Sequence, residues 1–223
     1  MANLHPSSDS TIWQASILVI VAGYADAVGF LTFGAFAGAM TGNTVLLGIA
    51  LAGRDFGAAA QSVIIIASFL MGVAASAVLG RRFPLTAIFG IEAAAIVGAA
   101  LVAPLVAAPV LAFAMGLQNA TMTRFAGASL NTVVLTGNLQ KMMQNFLGRF
   151  IGSTRPAQSE VAEGAVIGQL WIAYLGGVVA GALAQHWLAY PLLPAVLLLP
   201  LVLIRRTSWG DRGDGKSEDP SRP

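Results

Sequence analysis

Between Ile12 and Gly34 the chain carries one charged residue, Asp26. A helix that crosses a bilayer needs about 20 mostly apolar residues, and this run meets that need by itself. It is not isolated. The 223 residues include 12 Lys and Arg and 10 Asp and Glu, so 10% are charged, and the mean hydropathy is +0.76. Ordinary soluble domains carry roughly 25% charged residues. Too few charges remain to cover a water-facing surface, which predicts an all-α fold: a polytopic membrane helix bundle whose first partner is the lipid bilayer.

The same inventory removes several classes of chemistry. There is no cysteine, hence no disulfide framework, thiolate metal site or cysteine nucleophile. Two histidines, His5 and His186, cannot build a histidine metal cluster. Neither a Walker loop nor a Gly-x-Ser-x-Gly turn occurs, so no enzyme, metal or cofactor is expected. The formal charge of +2 comes from segment ends and the tail, which speaks to membrane topology rather than to nucleic acid. Residues 1–11 are polar without Lys or Arg, unlike a secretory leader, so Ile12 onward is expected to be a retained first helix.

Along the chain, Ile12–Gly34, Ala58–Gly80, Leu85–Val102, Val110–Thr123, Gly164–Trp187 and Leu188–Ile204 are the expected spans. Pro104 and Pro109 are expected to bracket a tight connection. Thr41–Ala52 is apolar but about 18 Å long as a helix, short of a ~30 Å hydrocarbon core. Val133–Phe150 holds Gln140, Lys141, Gln144 and Asn145 and is too polar to face lipid throughout. Residues 205–223 form a charged tail rich in Gly, Ser and Pro, of disordered composition. The membrane domain is therefore residues 12–204.

A duplication is visible inside it. Met40-Thr41-Gly42-Asn43 recurs as Leu135-Thr136-Gly137-Asn138, an offset of 95 that also matches Ala25 to Ala120, Phe30 to Phe125 and Gly53-Arg54 to Gly148-Arg149. An offset of 89 aligns Phe36-Ala37-Gly38-Ala39 with Phe125-Ala126-Gly127-Ala128, so the second copy would carry six extra residues before its motif. Repeat 1 is placed at about 12–103 and repeat 2 at about 107–204. Basic pairs mark cytoplasmic flanks. Placing both Arg81-Arg82 and Arg205-Arg206 inside requires an even number of crossings between them. The motif segments then do not cross, each repeat has three spans plus a re-entrant half-helix, the repeats are inverted, and both termini are cytoplasmic. Arg149 and Arg155 fall inside and Arg54 outside. The alternative is eight full spans with parallel repeats.

Weak internal symmetry with an interrupted apolar segment in each half points to a membrane binding site. Gly42 and Gly137 free the backbone to bend, and Thr41 or Asn43 can cap the helix that follows. Two such helix starts, with free donors and partial positive charge, would suit a small polar or anionic solute. Thr41, Gly42, Asn43, Thr136, Gly137 and Asn138 are the candidate binding residues, with Gln118 and Asn119 lining the same cavity. The competing reading is a capped turn satisfied internally, and for Gln118 and Asn119 interhelical hydrogen bonds. Asp26, Glu92, Arg124 and Lys141 lie within apolar segments, where ionisable groups are costly and are either functional or paired. Asp26 or Glu92 can carry a coupling proton; Asp26 with Arg124, or Glu92 with Lys141, can form a structural ion pair. The Gly and Ala runs at Gly72–Gly80 and Gly176–Gly181 read as helix-packing faces. Trp13, Trp171, Trp187 and Tyr190 read as interfacial aromatics.

Gly23-Tyr24-Ala25-Asp26-Ala27, Phe30-Leu31, Phe36 and Met40-Thr41-Gly42-Asn43 resemble the opening of the YoaK-like bacterial membrane proteins, a family catalogued as a domain of unknown function. Gly116-Leu117-Gln118-Asn119 and Thr136-Gly137-Asn138 extend the likeness over residues 15–205. The family's second motif often reads Thr-Gly-Thr, so Asn138 departs from it. The resemblance implies a multi-pass protein of the bacterial inner membrane and supplies no substrate. From the residues, a small-solute transporter or channel is expected, for an anion or organic acid among others. A non-transporting membrane scaffold is the alternative, and either leaves room for a homo-oligomer.

Overall fold

A computed structural model describes residues 9–126 and 158–204, together with 143 and 147. Among these residues there are seven helices and no strand: α1 (Asp9–Phe33), α2 (Met40–Ala52), α3 (Phe56–Leu79), α4 (Leu85–Leu101), α5 (Pro104–Ala126), α6 (Gln158–Trp187) and α7 (Leu193–Ile204). Four contain stretches long and apolar enough to cross a membrane: Ile12–Phe33, Phe56–Leu79, Pro104–Met122 and Gly164–Trp187. Their apolar character fits a membrane protein. So do the outward faces of α3 and α6, where Leu70, Met71 and Ile172 are all more than half exposed. A soluble protein rarely shows so much contiguous apolar surface.

Two helices form the centre and two the flanks. The apolar windows of α1 and α5 are 67% and 61% buried, against 22% for α3 and α6. The most extensive helix contacts are α1 with α6 and α3 with α5. Both are made by glycines set against a facing backbone. Gly23 of α1 lies on the Tyr174 carbonyl, while Gly177 and Gly181 of α6 lie on the carbonyls of Ile20 and Tyr24. Gly72 of α3 lies on the Phe113 carbonyl, and Gly116 of α5 on the Phe69 carbonyl. A Cβ at any of these five would collide with backbone, which cannot swing aside. Lipid gives helices no hydrophobic reason to associate, so close backbone approach supplies the dispersion energy instead. The expected packing faces around Gly72 and Gly177 are found in this role.

Interhelical hydrogen bonds add to these contacts. Gln118 Nε2 donates to the Leu18 carbonyl at 2.7 Å, Gln14 Nε2 to the Val202 carbonyl at 2.8 Å, and Ser76 and Thr121 pair through their hydroxyls at 3.1 Å.

The proline-rich segments differ from expectation. Pro109 lies inside α5, not at a connection. The turn is Val102-Ala103, and Pro104 opens the helix where its missing N–H costs nothing. The last span does not run from Leu188. Residues 188–192 form a non-helical link and α7 has twelve residues, about 18 Å of helix. Pro191 disfavours helix at Tyr190 before it, and the Tyr24 hydroxyl donates to the Pro191 carbonyl at 2.5 Å, tying the link to α1. At seventeen residues, α4 is at the short end of what a crossing needs.

Candidate functional site at the start of α2

The chain leaves α1 through Gly34, whose φ of 69° is left-handed, and its N–H bonds the Phe30 carbonyl at 2.9 Å. Glycine adopts that conformation without the steric cost of a side chain. Residues 34–39 then turn back along α1, and the Phe36 ring stacks on Phe30 with centroids 4.7 Å apart. Helix α2 begins at Met40 and has thirteen residues, about 20 Å.

The motif acts differently from the expected cap. Thr41 and Asn43 lie inside α2, and its N-cap residue, Ala39, has no side-chain oxygen to cap it. The Asn43 side chain, 1% exposed, closes a pair of bonds on one residue. Its Oδ1 accepts from the Phe36 N–H at 2.9 Å and its Nδ2 donates to the Phe36 carbonyl at 2.8 Å. Gly42 makes room for the Phe36 ring, since a Cβ there would sit 2.6 Å from it. Thr41 is exposed. Gly42 and Asn43 therefore form a clamp on the loop, because the half-buried Phe36 backbone needs partners and an amide one turn into the helix supplies both.

The carboxylate that meets the start of α2 comes from α1. Asp26 Oδ1 accepts from the N–H groups of Gly38 at 2.6 Å and Ala39 at 3.1 Å, and Oδ2 accepts from the Tyr174 hydroxyl at 2.7 Å. Asp26 is 4% exposed. A negative group at a helix start meets free donors and a favourable dipole. The midpoint of the Ile12–Phe33 span falls between Ala22 and Gly23, so Asp26 is about 5 Å beyond it along the axis. Side chain, returning loop and half-helix thus meet well inside the length of a spanning helix.

Beyond this junction a cavity of about 360 Å³ opens between the end of α1, α2 and α3. Ala35, Leu46 and Ile49 supply apolar wall, while Asp55, Gln61 and Ser62 supply polar atoms. Asp55 also caps α3, accepting from the Ala58 N–H at 3.0 Å.

The other expected site residues are distributed. Gln118 is buried on α5, with its amide N–H spent on α1 as the interhelical reading expects. Asn119 follows it, half-buried. Glu92 is fully buried on α4, and neither of its oxygens has a hydrogen-bond partner; the residue expected to pair with it, Lys141, lies outside the described residues. Thr136, Gly137, Asn138 and Lys141 lie outside the described residues, as does the side chain of Arg124. Asp26 draws its hydrogen bonds from two N–H groups and a phenol. Tyr174 was not legible as a site residue: it is 148 positions from Asp26, and its one signal is that a phenol within an apolar helix needs a polar partner.

A family model described as "Protein of unknown function (DUF1275)" matches residues 14–205. The chain belongs to the DUF1275 family. The match covers every helix that builds the junction in this DUF1275 chain and carries no narrower label. No curated protein and no solved structure matches the chain.

Proposed function

We propose that this DUF1275 protein is a multi-pass transporter or channel of the bacterial inner membrane, for a small polar or anionic solute, in which the start of α2 controls access. One observation carries the reading: a helix too short to cross begins on the buried carboxylate of a spanning helix, beside a cavity of solute size. Irregular backbone at that depth is tolerated only where protein or water satisfies it, and broken helices near mid-depth are a recurring feature of transporter sites. Asp26, Tyr174 and the Gly38–Ala39 backbone are the holding contacts. Asp55, Gln61 and Ser62 are the polar groups that line the cavity for solute, and Thr136-Gly137-Asn138 is the second half of the proposed site.

Two repeats, each with its own half-helix, belong to the same proposal. The crosswise pairing of α1 with α6 and α3 with α5 supports it. So does the register of the glycine contacts. Ile20, Gly23 and Tyr24 make the contacts that Phe113, Gly116 and Leu117 make, an offset of 93. Phe69 and Gly72 correspond to Tyr174 and Gly177, an offset of 105, over which Leu70, Gly72, Val73, Ala75 and Ala77 recur as Leu175, Gly177, Val178, Ala180 and Ala182. In this register Asp26 matches Asn119, and Tyr174 matches Phe69. Cytoplasmic termini and inverted repeats complete the proposal, and cysteines placed singly in this cysteine-free chain map them. Labelling of position 155 from outside overturns that topology.

The test of function is flux in liposomes, with small anions and organic acids, with and without a pH gradient. Transport by the wild type that falls on Asp26→Asn, with helix content unchanged, is the expected result. Absence of both flux and thermal shift with every solute favours a second reading, a membrane scaffold. The observation behind that reading is that Asn43 is spent wholly on its own loop.

A further inference from the structure

Three buried side-chain oxygens among the described residues have no hydrogen-bond partner: both carboxyl oxygens of Glu92 and Oε1 of Gln118. They lie on the two arms of one hairpin, α4 and α5, joined by Val102-Ala103. The buried stripe of α4 is Ile88, Phe89, Glu92, Ile96 and Ala99, so Glu92 replaces an apolar residue in a regular packing face. Helices α5 and α7 pack on α4. From Pro104 to Met122 and from Leu193 to Leu203 neither helix has an ionisable side chain. Nothing described there neutralises a negative charge.

An ionised carboxylate left unpaired in such a setting costs far more than a membrane helix can carry, and a buried group of this kind takes up a proton instead. An alkali ion is a poorer occupant. Transporter sites for such ions draw on unwound backbone carbonyls, and α4 is continuous helix from Leu85 to Leu101. A proton needs only one carboxyl oxygen. The acid that results has one hydrogen bond to donate, and no described group accepts it in this structure; Gln118 Oε1, on the other arm, is likewise unpartnered. Counted from the tip, Glu92 is ten residues in and Gln118 fifteen, an axial offset of about 7.5 Å. As mere packing, a glutamate here would be inferior to leucine.

We infer that Glu92 is a proton-binding site in the α4–α5 hairpin, loaded as the neutral acid and able to exchange its proton with solution. The site stands whether or not the protein moves a solute. The test is infrared spectroscopy of the full chain in lipid nanodiscs, with glutamate carboxyls isotope-labelled. A protonated-carboxyl band at neutral pH is expected. It should shift with the label, vanish in Glu92→Gln and persist in Asp26→Asn. It should be lost in strongly alkaline buffer and return on neutralisation, with the helix signal constant throughout.

Absence of a glutamate acid band at neutral pH overturns the inference, as does its survival in Glu92→Gln. A band unmoved by pH until the helices melt overturns it too, because a sealed acid is not an exchangeable site. If Glu92→Gln does not fold, changing Glu160, Glu163 and Glu218 together to Gln leaves Glu92 as the sole labelled carboxyl. The band must then remain at wild-type intensity, and its loss refutes the assignment.

Discussion

Asp26 and Glu92 are both carboxyls buried in apolar helices, and their surroundings are opposite. Asp26 accepts three hydrogen bonds, two from the backbone ahead of α2 and one from Tyr174. Glu92 accepts none. The first holds three segments of chain together, so it contributes to stability through the donors it satisfies. The second receives no hydrogen bond, so its burial carries a cost that no described donor offsets. Each substitution removes one buried carboxyl, so the comparison turns on partners.

The largest expected effect is therefore at Asp26. In Asp26→Leu, two N–H groups and a phenol lose their acceptor. Each orphaned donor costs about 1–3 kcal/mol, so a loss of at least about 3 kcal/mol is expected in a reversible unfolding measurement in mixed micelles. A loss below about 1 kcal/mol would mean that water reaches the junction and the carboxylate is no anchor.

The next effect has the opposite sign. Glu92→Leu removes a buried polar group without orphaning another, and is expected to raise stability by about 2 kcal/mol in the same assay. Destabilisation would reveal a partner for Glu92 and dissolve the contrast. The smallest effect is at Tyr174→Phe, which deletes one of the three bonds while keeping the ring. Double-mutant cycles put hydrogen bonds between membrane helices near 0.6 kcal/mol, so a loss of about 1 kcal/mol is expected. Combined with Asp26→Leu it should add almost nothing, since the two changes share one bond.

Under the proposed duplication, the two halves differ in a related way. In the register of the glycine contacts, the pair Asp26–Tyr174 faces Asn119 and Phe69 as its counterpart. The backbone scaffold can repeat because a glycine against a carbonyl is indifferent to the rest of the sequence. In that register the acid and the hydroxyl do not repeat.

Sequence alone determined the solvent and the helices. An apolar run of spanning length is a local property, and so is the shortness of Thr41–Ala52; the short α2, the turn at Gly53-Arg54-Asp55 and the glycine packing faces were all legible for that reason. Local reasoning failed where a proline's effect depends on its position within a helix, as at Pro109 and Pro191. Only the tertiary structure decided what the polar residues do. Thr-Gly-Asn looked like a cap, but the Asn43 amide found a better-placed pair of partners on Phe36. Asp26 and Glu92 looked alike because a burial pattern records that a carboxyl is inside, not which donors reach it. Those donors arrive from residues 12, 13 and 148 positions away. Hydrogen bonding acts over a few ångströms of space whatever the distance along the chain, so the choice between anchor and proton site is made only when the helices have packed.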